Sequence, residues 1–242
     1  MTKPCKLAYG IGLAAVVCGL SALAAPAPLS WLLAWASVSC GIAAGAYVAN
    51  RPGVYGKHDG RRHRWLALPS AIFLVAFRIA CALMRVWRKH PVKSQITPAL
   101  WVAGRVEGHD LPDDLDFVVD LVAEFDEPRG VRERPGYRGL YVLDGGSPPD
   151  DEPVLALLDE IADPAKSVLI HCDSGMGRAP TFAVLALLRR GEADSVEEAI
   201  LQIESARPFV HIGRADLAFL ASVEGRVERP GSCRATSTVA AS

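Results

Sequence analysis

Ser167-Val168-Leu169-Ile170-His171-Cys172-Asp173-Ser174-Gly175-Met176-Gly177-Arg178 joins a short apolar, β-branched run to a turn of small residues that ends in an arginine. The run suits a buried central strand, and helical sequence follows from Pro180 to Arg190. A small-residue turn between a strand and a helix N-terminus aims several backbone N–H groups at one point, and the helix dipole adds to the attraction for an anion there. A tetrahedral phosphate fits such a cradle. The planar fork of Arg178 can bond two of its oxygens and stabilise charge on a phosphoryl group in transfer. The same electropositive setting favours the thiolate of Cys172, which makes Cys172 the candidate nucleophile.

Outward from this loop, strands are expected at Leu100 to Ala103, Asp116 to Val122 and Leu140 to Leu143. Helices are expected at Pro153 to Ala162, at Val196 to Ala206 behind the capping box Ser195-Val196-Glu197-Glu198, and from Arg214 to about Val223. This alternation implies an α/β fold with a central, mostly parallel sheet flanked by helices, over residues 95–228. The Ser/Thr/Ala-rich tail, 229–242, is expected to be disordered.

The residues before this domain differ in kind. Up to Pro98 the chain carries 12 Lys and Arg and one acidic residue, Asp59, whereas the remainder is net acidic, so the overall charge of −1 is a cancellation. Two uncharged apolar runs, 7–25 and 29–49, have the length of membrane-spanning helices and are joined only by Pro26-Ala27-Pro28. The alternative for the first run is a signal peptide cleaved after Ala22-Leu23-Ala24. Lys3 and Lys6 on one flank, and Arg51, Lys57, Arg61, Arg62 and Arg64 on the other, place both ends of the hairpin in the cytoplasm. A third apolar segment, 66–88, has Arg78 in its middle and basic residues at both ends, so it is read as an interfacial amphipathic helix, with a third span as the alternative. Trp65 and Trp87 flank it as interfacial anchors would. The expected location is the cell membrane, multi-pass, with residues 95–228 on the cytoplasmic side.

Six cysteines form no CxxC pair and no Cys/His zinc spacing, which suits a reduced compartment, and neither a metal nor another cofactor is expected. His58 and His63 read as solvated loop residues. Arg207-Pro208 is expected to end a helix and pack near the phosphate loop. The acidic domain disfavours nucleic acid as a partner.

The Cys-x5-Arg loop resembles the signature of the cysteine-dependent protein tyrosine and dual-specificity phosphatases. The stretches Leu100 to Arg105, Val119 to Phe125 and Leu143-Asp144-Gly145, taken with the loop, are similar to small bacterial dual-specificity-type phosphatases. The resemblance covers nearly all of 95–228 and none of the membrane segment. It implies a phosphocysteine intermediate on Cys172, phosphate held by Asp173, Ser174, Gly175, Met176, Gly177 and Arg178, and a general acid on a separate loop. Asp144, 28 residues before Cys172, is the first choice for that acid, with Asp150 and Asp151 as rivals. His171 and Thr181 are supporting residues. One departure stands out: the family usually carries Ser or Thr after the signature Arg, and here Ala179 follows Arg178, leaving Thr181 as a substitute hydroxyl or the second step slow. The expected substrate is a phosphoprotein, on Tyr or Ser/Thr. The alternatives are a singly phosphorylated lipid such as phosphatidylglycerophosphate, or a weakly active membrane-tethered phosphate-binding module.

Overall fold

A computed structural model describes residues 6–88 and 90–227. Lys3, Cys5, Lys89, Cys233 and the tail 229–242, about which the sequence raised expectations, lie outside the described residues.

Two long helices, α1 (Lys6–Ala24) and α2 (Leu29–Val48), pack against each other as a hairpin. A two-stranded turn follows, β1 (Lys57–His58) with β2 (Arg61–Arg62), closed by Asp59-Gly60 with both residues at positive φ. That pairing is the Asp-Gly preference of tight hairpins. The third apolar segment is broken near Pro69 into α3 (Arg64–Ala67), a 3-10 turn (Leu68–Ser70) and α4 (Ala71–Arg88). By length and composition alone, Lys6–Ala24, Leu29–Val48 and Arg64–Trp87 could each cross a bilayer.

The α/β domain is built from β3 (Lys93–Thr97), β4 (Leu100–Ala103), β5 (Phe117–Val122), α5 (Arg129–Arg132), β6 (Tyr137–Val142), α6 (Asp151–Glu160), β7 (Val168–His171), α7 (Arg178–Arg190), α8 (Val196–Ala206) and α9 (Arg214–Val227). Its sheet has the order β3-β4-β7-β5-β6, antiparallel at β3–β4 and parallel elsewhere. Alternation along the strands separates two faces. Leu100, Val102, Val119, Leu121, Val168 and Ile170 join the main core with α6 to α9, while Ala103, Val118 and Leu169 join a smaller cluster with Val106 and Val131.

Two helices begin earlier than the sequence suggested. Pro153 and Pro180 fall at the third residue of α6 and α7, where a proline costs no hydrogen bond because first-turn N–H groups have no intrahelical acceptor. The edge strand β3 was not expected, because Lys93-Ser94-Gln95-Ile96-Thr97 carries no apolar alternation; its place is set by pairing with β4.

α4 has two apolar stripes on opposite sides. Phe73, Phe77 and Cys81 face inward, continuing an aromatic series from Tyr47 through Phe73 (6.3 Å), Phe77 (5.5 Å) and on to Phe125 (5.7 Å between centroids). Val75, Ile79, Leu83 and Val86 are exposed at the i, i+4, i+8, i+11 spacing of one helix face. Arg78 does not hang unpartnered in this helix: its guanidinium lies 5.5 Å from the centroid of Phe125. The lower ends of the hairpin helices, at Ala8, Ile11, Ala43 and Tyr47, share a cluster with Phe73 and Leu74 of α4 and with Ala123 and Leu143 of the domain.

Candidate active site

The carboxyl ends of β4, β5, β6 and β7 lie along one edge of the sheet, and the segments leaving them carry Gly104-Arg105, Glu124, Asp144 and Cys172. That edge is where open parallel sheets place ligands. The loop from Cys172 to Gly177 is held from outside. Asp173 O accepts the Arg105 N–H (2.9 Å), Met176 O accepts the His211 N–H (2.7 Å) and Gly175 O accepts Arg207 Nε (2.8 Å). In a trans peptide the C=O and the following N–H point in opposite directions, so the N–H groups of Ser174, Met176 and Gly177 turn away from those partners. Cys172 Sγ accepts the Gly175 N–H at 3.2 Å and is 1% exposed. Arg207 is buried as expected beside the loop, and burial pulls its guanidinium down to about 10, opposed by Cys172.

Arg178, the first residue of α7, is 7% exposed. Its Nη1 donates to Glu124 Oε2 (3.0 Å) and Val142 O (2.6 Å), and its Nη2 lies 3.3 Å from Asp144 Oδ1. Burial works against the charge, yet Glu124, Asp144 and Cys172 outweigh it and hold the guanidinium well above its ordinary value. Arg178 Nε is buried and has no partner among the described residues, which leaves one N–H of the fork for a ligand.

Asp144 follows β6. Packing of the surrounding protein pushes its carboxyl above the ordinary range; Arg178 opposes this, and Glu124, Asp173 and Asp216 reinforce it. The side chain keeps 45% of its exposure, so it can reach a ligand. The rival carboxylates stand elsewhere: Asp150 occupies the N-cap position of α6, and Asp151 pairs with Arg226 at 2.8 Å.

Glu124 lies within the stretch Val119 to Phe125 and carries no role that sequence reasoning assigns. Its Oε1 accepts both the Asp144 N–H (2.7 Å) and the Tyr47 hydroxyl (2.9 Å), while Oε2 takes Arg178. The only local signal was its place just beyond a strand carboxyl end. Thr181, the candidate substitute for the hydroxyl missing at Ala179, donates to Gly177 O at 3.0 Å, the i−4 back-bond of a helical threonine, so its proton is committed away from Cys172.

A cavity of about 390 Å³ opens on the loop at Asp173, Ser174 and Met176, with Asp144 and Arg105 at its side. Cys81, Met84 and Arg85 of α4 form its other wall, together with His90-Pro91-Val92. Arg85 Nη1 donates to Asp173 Oδ1 at 2.9 Å.

Behind the loop is a second, fully buried polar cluster. His171 aligns with Asp120 across β7 and β5, and ligand atoms of Asp120, Glu127 and His171 lie within 4.8 Å of one another. They are the group among the described residues that could hold a metal ion. The Lys57 ammonium already occupies the place of a cation there, 2.6 Å from Asp120 Oδ2, 2.6 Å from Val122 O and 3.9 Å from Glu127 Oε1. Burial raises Asp120, but Lys57 and His171 overcome this and hold it below its ordinary value. Burial, then Asp120, pushes Glu127 up to about 8, and burial lowers His171 to about 4. His171 lies beneath the loop with Nε2 3.9 Å from Glu127 Oε2.

No family model matches the chain, and no curated protein matches it. Among solved structures it is similar to the active form of Tk-PTP, at 27% identity and a TM-score of 0.47 over 56% of this chain and 98% of that one. Human DUSP28 (18% identity, TM-score 0.45, 57% of this chain and 95% of that one) and PTPMT1 in complex with PI(5)P (18%, 0.44, 57% and 97%) are similar to a like extent.

Proposed function

We propose that the chain is a membrane-anchored, cysteine-dependent phosphomonoester hydrolase. The observation that carries this reading is the buried Arg178, its Nε without a partner among the described residues, at the end of a loop in which the Gly175 N–H is turned inward onto the Cys172 thiol. In the first step Cys172 Sγ attacks phosphorus: the S–P bond forms, the P–O bond to the leaving group breaks, and Asp144 gives its proton to the departing oxygen. In the second, the Asp144 carboxylate takes a proton from water as that water attacks phosphorus, inorganic phosphate leaves, and the thiolate returns. Arg178 and the loop N–H groups hold the equatorial oxygens in both steps. With Ala179 in place of a hydroxyl residue and Thr181 turned to Gly177, the thiolate leaves the phosphoenzyme without a hydroxyl donor, so the second step is the slow one.

α1 and α2 act as a membrane hairpin with both ends on the cytoplasmic side. α4 lies along the inner leaflet, because its middle residues Phe77 and Arg78 pack on Phe125 of the α/β domain and a crossing helix would carry that contact into lipid. The substrate is then a phosphomonoester at the membrane surface, a phosphoprotein in the first reading. A second reading, a lipid phosphomonoester, is favoured by the α4 wall of the cavity, whose outer stripe faces the same surface. Phosphate release from phosphopeptides and from phospholipid vesicles, with Cys172→Ser as control, tests both. Release that survives Cys172→Ser overturns the mechanism, and release from vesicles alone replaces the first substrate by the second.

A further inference from the structure

We infer that the carboxyl-terminal end of α2 belongs to the catalytic centre, with Tyr47 as a positioning residue for the general-acid loop and the phosphate-binding arginine. The inference rests on the hydrolytic reading of the site. Glu124 is buried and receives donors from three separate parts of the chain: the Tyr47 hydroxyl from α2, the Asp144 N–H from the acid loop, and Nη1 of Arg178 from α7. A carboxylate can accept about four hydrogen bonds, and its plane is fixed only when donors on both oxygens agree. The two donors on Oε1 are Tyr47 and the backbone of Asp144 itself. Tyr47 therefore decides where Glu124 holds that backbone, and through it where the Asp144 carboxyl stands.

The same end of α2 reaches the acid loop a second time. Asn50, at a φ of 48° that Asn and Gly tolerate best, donates Nδ2 to Ser147 O at 2.9 Å. The two contacts bracket the segment from Asp144 to Ser147. Packing does not account for the hydroxyl, since the Tyr47 ring meets Phe73 edge-on at 6.3 Å and a phenylalanine would fill the same space. The consequence is that the helix hairpin positions catalytic groups as well as tethering them.

The test uses the full-length protein in phospholipid nanodiscs, comparing wild type, Tyr47→Phe and Asn50→Gly, with Cys172→Ser as the control for the reaction. Two substrates differing in leaving group are used, p-nitrophenyl phosphate and phenyl phosphate. Tyr47→Phe is expected to lower kcat about tenfold on phenyl phosphate and less than about threefold on p-nitrophenyl phosphate, with KM within about twofold, because a displaced acid matters most where the leaving oxygen needs its proton. Amide hydrogen exchange across 144–149 should quicken in both variants while that of β7 stays as in wild type. Equal losses on the two substrates, no loss, or unchanged exchange at 144–149 would overturn the inference. If the wild type shows no Cys172-dependent turnover, the hydrolytic reading falls, and the exchange comparison by itself decides whether Tyr47 and Asn50 hold the loop.

Discussion

Arg85 of α4 donates to the Asp173 carboxylate at 2.9 Å, so a helix outside the α/β domain neutralises the one acidic side chain in the loop from Cys172 to Arg178. Without this partner, a carboxylate 7% exposed would stand next to an anion site. Arg85→Ala is expected to raise KM for p-nitrophenyl phosphate about two- to fivefold with kcat nearly unchanged, a modest effect because Arg85 is itself about one-third exposed. Steady-state kinetics in nanodiscs read this directly, and an unchanged KM would remove Arg85 from substrate recognition.

In the proposed mechanism Asp144 is the general acid, and its raised carboxyl is expected to set the alkaline side of the activity profile. The acid must be protonated to donate, and packing around it keeps the proton to a higher pH than a free aspartate would. Turnover is therefore expected to fall as pH rises through that raised value. Asp144→Asn should abolish the fall and lower kcat on phenyl phosphate about 100-fold, with a much smaller loss on p-nitrophenyl phosphate. A wild-type profile whose alkaline limb survives in Asp144→Asn would assign the acid elsewhere.

Gly175 tests the loop backbone. Its φ is +68°, and a Cβ there would come within 2.5 Å of Arg207 Nη2, 2.6 Å of Gly104 N and 2.7 Å of Ala103 C. Gly175→Ala is expected to cost about 1–3 kcal/mol of stability and to remove measurable phosphate binding, since the loop must open to admit the methyl group. Denaturation midpoints and isothermal titration with inorganic phosphate give the two quantities. Full phosphate affinity in this variant would show that the loop geometry is not what binds the anion.

Lys57, from the short β1–β2 hairpin, is the counter-charge of Asp120 inside the domain, with side chains 1% and 0% exposed. Lys57→Met should destabilise by about 3–5 kcal/mol, the cost of stranding a buried carboxylate.

The pH dependence of stability should carry two opposed signatures of the same cluster. Glu127 has its folded value raised to about 8, so its contribution is full below its ordinary 4.5 and is lost as pH rises to 8. His171 has its value lowered to about 4, so its contribution is present above its ordinary 6.5 and lost as pH falls toward 4. The two oppose each other in the acidic range, and only Glu127 acts between 6.5 and 8. Tm should fall across that interval, and Glu127→Gln should flatten it. A slope that persists in Glu127→Gln would place its source in another group.

Much of this was legible without coordinates, for local reasons. The four parallel strands were marked by apolar β-branched runs, α8 by its Ser195 cap, which accepts the Glu198 N–H at 3.1 Å, and the turn between β7 and α7 by its small residues. The edge strand β3 and the β1–β2 hairpin escaped notice because neither carries an apolar face of its own. Segment 66–88 was ambiguous because α4 is apolar on two opposite sides, and a one-dimensional reading cannot tell a stripe that meets a protein from one that does not.

The sequence by itself determined the kinds of part present: apolar helices of membrane length, an α/β alternation, and a loop in which a thiol, small residues and an arginine succeed one another. These follow from short-range properties, namely hydropathy, periodicity and turn chemistry, that neighbouring residues settle among themselves. Only the tertiary structure decided which parts meet: Tyr47 with Glu124 across 77 positions, Arg85 with Asp173 across 88, Lys57 with Asp120 across 63. Such pairs leave no periodic trace, because a buried donor and its acceptor are matched by the packing of helices and strands that carry them and not by their spacing along the chain.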